Sequence, residues 1–148
     1  MRYLHNAVIS VFAKEGEDAL KIKERLVSLV PFSLEEEGIK VREQVAEGFN
    51  EKKIRIFEVV LEKEKHLNRF IEMLRNSLSD EQRELLLRQR ESRLDAGLNF
   101  FIRLDKEKLL EGKFFIIDGG NCFHIKMAVA AFPAKRQPAL EVIDKIFK

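Results

Sequence analysis

Residues 97–133 read GLNFFIRLDKEKLLEGKFFIIDGGNCFHIKMAVAAFP. Leu98 to Leu104 alternates apolar and polar side chains, the period of a strand with one buried face. Asp105 to Glu111 has helical composition and ends at Gly112. Phe114–Ile117 and Cys122–Phe132 then read as two strands joined by Asp118-Gly119-Gly120-Asn121, the clearest turn in the chain. Pro133 stops the last strand. The alternation assigns faces. Phe100, Ile102, Ile125 and Met127 should point into a core. Phe101, Arg103, His124 and Lys126 should point away from it.

The flanking sequence supplies the rest of a sheet and its cover. Leu4–Ala13 alternates and is rich in β-branched residues. Glu17 and Asp18 place acid at the start of a helix carrying Ala19, Ile22, Leu26 and Val30, which Pro31 closes. Residues 33–38 form an acidic loop. Ile39–Phe49 is a weaker strand, Phe49-Asn50-Glu51-Lys52 a hairpin turn, and Lys53–Leu61 a stronger strand. Residues 64–78 carry Leu67, Phe70, Ile71, Leu74 and Leu78 on one helical face. Ser79-Asp80-Glu81-Gln82 has the pattern of a capping box opening a helix to about Leu94. Ala139, Ile143, Ile146 and Phe147 stripe a final helix. The expected architecture is α+β: one largely antiparallel or mixed sheet of about six strands, helices mainly on one face, with residues 1–148 as one domain.

Composition narrows the function. Charged residues make up 35% of the 148, yet the net charge is only +2. The surface is therefore dense and mixed, not polybasic. Threonine and tryptophan are absent and Lys and Glu abound, a thermophile's tendency. Cys122 is the one cysteine, so no intramolecular disulfide can form, and no Cys/His cluster has zinc spacing. The first residues lack a signal peptide's charged and apolar regions, and no apolar run reaches about 18 residues, so a cytoplasmic location is expected. Gly119-Gly120 lacks the Lys-Ser/Thr of a phosphate loop, and no serine sits in a nucleophile elbow. His5, His66 and His124 are scattered. The expectation is a protein without catalytic residues, metal or cofactor.

Two features remain. With the strands as neighbours, one sheet face collects Arg55, Phe57, Phe101, Arg103, His124 and Lys126, basic groups for phosphates and rings for bases. The second feature is the helix from Ser79. Half of the chain's twelve arginines lie in residues 69–93. At 100° per residue Arg83, Arg90 and Arg93 border the apolar stripe of Leu86, Leu87 and Leu94, and their forks match phosphate geometry. The expected RNA-binding residues are thus Arg83, Arg90, Arg93, Arg103, Lys126, His124, Phe101 and Arg55. The rival reading is a scaffold or protein-interaction module, a homodimer that buries Phe57 and Phe101 and binds no nucleic acid.

Leu4-His5-Asn6-Ala7-Val8-Ile9-Ser10, Arg93-Leu94-Asp95 before the strand Asn99–Leu104, Asp105-Lys106-Glu107-Lys108 with Gly112, and Phe123-His124-Ile125-Lys126 through Ala131-Phe132-Pro133 resemble an archaeal family. It is the family of predicted RNA-binding proteins or predicted exosome subunits. The resemblance spans nearly the whole chain. It implies a fold similar to the 5S-rRNA-binding large-subunit ribosomal protein, no cofactor, a homodimer, RNA as partner and a role in RNA processing or degradation. His124 and Lys126 match the family's histidine-x-lysine in the last strand. Asn121-Cys122-Phe123 departs from its tighter acidic turn.

Overall fold

The computed structural model describes residues 1–47 and 52–148. Five strands form one antiparallel sheet: β1 (Leu4–Lys14), β2 (Arg42–Glu47), β3 (Lys53–Leu61), β4 (Asn99–Asp105) and β5 (Cys122–Val129). Their order is β2-β3-β1-β5-β4. The helices are α1 (Ala19–Ser28), α2 (Glu64–Ser77), α3 (Asp80–Arg88), α4 (Arg90–Arg93), α5 (Lys106–Leu110) and α6 (Arg136–Phe147). The anticipated turn at 49–51 lies outside the described residues.

Register and alternation build the core. Leu104, Phe123, Val11 and Phe57 form one cross-strand row, and Ile102, Ile125, Ile9 and Val59 the next. All eight are buried, so one face of the sheet is covered across four strands. The stripes of α2 (Leu67, Phe70, Ile71, Leu74) and α6 (Ala139, Ile143, Ile146, Phe147) are buried against it. Phe100 and Phe147 bring their rings within 6.0 Å, and each buried aromatic adds about 2 kcal/mol of apolar transfer. Among the described residues, no helix lies on the opposite sheet face.

Local signals explain the borders. The Ser79 hydroxyl accepts from the Gln82 amide at 3.2 Å, as the capping-box reading requires. Gln82 does not return the bond. Its Oε1 accepts from the Ile116 amide at 2.7 Å and fixes the segment after α5. Lys106 is only 1% exposed. Its ammonium donates to the Phe12 carbonyl at 2.5 Å and to Glu17 at 3.2 Å, tying the head of α5 to the end of β1.

Two expectations are corrected. The helix from Ser79 does not run unbroken to Leu94. It breaks at Gln89, where φ is −98° and ψ 11°, and the Leu87 carbonyl accepts from the Arg90 guanidinium at 2.6 Å. The sixth strand, Phe114–Ile117, does not pair with β5. Both edges of β5 are occupied, by β1 and β4. The segment instead lies on the free edge of β4, donating from Ile117 to the Arg103 carbonyl at 2.9 Å and accepting at Phe115 from Asp105 at 2.8 Å. Asp118–Asn121 is then a wide return loop, with Gly120 at φ +84°.

Candidate nucleic-acid interface

The helix-free face is set by the residues between the core positions. Arg103, His124, Ser10, Glu58 and Arg42 form one row that crosses all five strands. The neighbouring row is Phe101, Lys126, Val8 and Val60. Arg103, His124, Lys126 and Phe101 therefore meet on two adjacent strands, as their alternation predicts. The Phe101 and His124 rings are 5.5 Å apart at 44°. Glu58 pairs with Arg42 at 3.6 Å. Among the described residues neither Arg103 nor Lys126 makes an ion pair.

The face is hollowed. A depression of about 530 Å³ lies over β1 and β3, lined by Asn6, Val8, Glu58, Val60, His124 and Lys126 among others. A second, of about 460 Å³, shares Ser10 and His124 and reaches Phe12, Cys122 and Asn121. Phe12 is 52% exposed there. Burial pushes the Cys122 thiol up, so it stays protonated at neutral pH.

His124 is pulled below the ordinary histidine value of 6.5, first by burial, then by Arg103 and Lys126. A folded-state value below the unfolded one means that the unfolded chain binds the extra proton. His124's contribution is whole above pH 6.5 and falls away as pH drops below it. The groups facing it from β4, β5 and β1 are Arg103, Lys126, Cys122 and Ser10, and none supplies a compensating negative charge. Thermal melts at pH 7.5 and 5.5 should show the wild type losing more melting temperature than His124→Gln. Equal losses would refute the assignment.

The helix arginines are placed differently. Arg93 is only 7% exposed. Its Nε and Nη2 donate to Gln89 Oε1 at 3.0 and 2.6 Å, and its Nη1 to the Phe101 carbonyl at 3.4 Å. Asp118 lies 3.4 Å from Nη2. Burial lowers the guanidinium's basicity, with Asp118 opposing and Arg103 adding to the effect. Arg83 is bound to Asp80, and Arg90 reaches Asp144 on α6 at 3.3 Å. These three tie α3 and α4 to themselves and to their neighbours. Arg55 does not join the open face either. It pairs with Ala13, in the phase of the covered side, and is exposed. Phe57 is 1% exposed within this chain's own core, where it cannot stack a base or meet a second copy.

Sequence reading missed Arg42, Glu58, Asn6, Ser10 and Phe12. Their alternation was available, but only the strand order places β1 beside β5 with β3 and β2 beyond it.

The family model described as RNA binding matches residues 6–129. The RNA-binding protein PAB1135 of Pyrococcus abyssi is 28% identical over 139 residues, covering 94% of this chain and 90% of that one. The crystal structure of protein AF2318 from Archaeglobus fulgidus superposes with a TM-score of 0.85 at 26% identity, covering 97% of this chain and 99% of that one. Mth689 from Methanothermobacter thermautotrophicus gives 0.78 at 29% identity, covering 99% of each chain. With the family model spanning most of its length, from near the start of β1 to the end of β5, this chain belongs to the RNA-binding family.

Proposed function

We propose that the chain binds RNA on the open face of its sheet and does no chemistry on it. The observation that carries this reading is the meeting of Arg103, Lys126, His124 and Phe101 on β4 and β5, on a face that no helix among the described residues covers. The two cations hold phosphates, and Phe101 offers a ring for an unpaired base. Family membership and the name of the Pyrococcus abyssi relative support RNA as the partner.

Salt dependence tests it and separates it from binding that also engages α3 and α4. Two or three phosphates on single-stranded RNA give log affinity against log salt a slope of about −1.4 to −2.1. Five phosphates, the number reached if Arg83, Arg90 and Arg93 join Arg103 and Lys126, give about −3.5. Filter binding over a salt series should yield the smaller slope. A salt-independent curve, or no binding at low salt, would refute the proposal.

A role in RNA processing or degradation is the setting this reading implies. RNA recovered with the chain from cells should be enriched in processing intermediates, and mature RNA alone would remove that part. A second reading, a homodimer across the same face, is favoured by the exposure of Phe12. Sedimentation as a monomer at micromolar concentration would dismiss it.

A further inference from the structure

A carboxylate is out of place on a phosphate-binding face. Glu58 nevertheless sits in the middle of this one, two strands from His124 and Lys126. It lines the 530 Å³ depression, whose floor includes Val8 and Val60 and whose walls include Lys126, Asn6 and Asn99. The depression has room for a nucleotide, Val8 and Val60 give its base an apolar contact, and the exposed Glu62 also lines it. Two strand spacings, about 10 Å, separate Glu58 from Lys126, a length one nucleotide spans from base edge to phosphate. We propose that this depression takes a single unpaired guanine and that Glu58 selects it. The inference rests on the reading of the open face as the RNA surface.

The selectivity follows from hydrogen-bond chemistry. An ionised carboxylate only accepts, through two oxygens with about four lone-pair positions. Oε1 of Glu58 faces Arg42 Nη1 at 3.6 Å, and Oε2 has no ion-pair partner among the described residues. Guanine presents two adjacent donors, N1–H and the N2 amino group, which match the two oxygens. Adenine and cytosine offer one amino group beside an acceptor nitrogen. Uracil offers one N–H between two carbonyls, which a carboxylate repels. Glu58 is half-buried, so the unpaired acceptors of a wrong base would meet it with little water between. Lys126 and His124, on the far side of Val8, hold the phosphate of the same nucleotide.

The experiment compares a short oligouridylate with the same oligomer carrying one central guanosine or one inosine, which lacks the N2 amino group. The guanosine oligomer should bind about tenfold tighter than oligouridylate, the discrimination expected of a two-bond contact, with inosine between them. Glu58→Gln should bring the guanosine and uridine oligomers to within about twofold, because an amide presents one donor and one acceptor. Arg42→Ala removes the ion pair but keeps the carboxylate, and should retain the preference. Equal affinity for the three oligomers in the wild type would overturn this inference and leave RNA binding standing. A preference that survives in Glu58→Gln would overturn Glu58 as its source. No binding of any oligomer would overturn the proposed function and this inference together.

Discussion

Replacing Arg103 and Lys126 together with glutamate should weaken RNA binding about a hundredfold or more at 0.1 M salt, with the melting temperature unchanged within about 2 °C. Each phosphate contact on a single strand contributes about 0.7 log unit per decade of salt. Between 1 M and 0.1 M salt, two contacts are therefore worth about 25-fold. Reversing the charges removes this gain and adds repulsion of similar size. Stability should hold because both side chains lie on the open face without an ion-pair partner among the described residues. Arg103 also stands near enough to Arg93 and His124 to disfavour the charge on each. Losing it relieves repulsion inside the native state. Fluorescence anisotropy over a salt series, beside a thermal melt, reads both quantities. Binding retained within about threefold would remove β4 and β5 as the RNA surface. A melting temperature lowered by 10 °C or more would make the two cations structural, since about 2–4 °C corresponds to 1 kcal/mol in a chain of this size.

The half of the face that sequence alone exposes is the half built by β4 and β5. In β4 the inward residues Phe100, Ile102 and Leu104 are all apolar, while Asn99 and Arg103 alternate with them, so the phase is unambiguous. In β5, Phe123, Ile125 and Met127 alternate with His124 and Lys126 to the same effect. β3 gives no such contrast. Ile54 and Ile56 are apolar on one side, Phe57 and Val59 on the other, and Arg55 adds a charge to the side that turns out to be covered. A strand apolar on both faces leaves its phase to tertiary packing, and the phase that places Arg55 and Phe57 beside Arg103 is the wrong one. Strand order hides the remainder. Glu58 and Arg42 gain meaning only once β3 and β2 lie beyond β1. The failed sixth strand has the same cause, because pairing capacity depends on which edges are already taken.

Arg93→Ala should cost about 3 kcal/mol of stability, the range for losing hydrogen bonds to a charged group together with its packing, and lower the melting temperature by about 6–12 °C. Helical angle correctly put Arg93 at the border of the apolar stripe. It could not show that the guanidinium turns inward, where Gln89 Oε1 and the Phe101 carbonyl receive it. Those bonds hold α4 along the outer edge of β4, where Leu94 bridges Phe100. Alanine leaves the Gln89 oxygen and the Phe101 carbonyl without that donor, so the loss falls on folding. RNA affinity per folded molecule should change by less than about threefold, since the arginine is buried and presents no free fork to phosphate. Arg93→Met should recover part of the stability, because an apolar chain of similar length restores packing without a charge to desolvate. Arg88→Ala, at an exposed position at the end of α3, should alter neither quantity and serves as the control. Urea denaturation and anisotropy on the same preparations separate the two roles. If Arg93→Ala melts with the wild type and loses RNA binding, the buried arginine is a phosphate ligand after all, and the interface extends around the β4 edge onto α4.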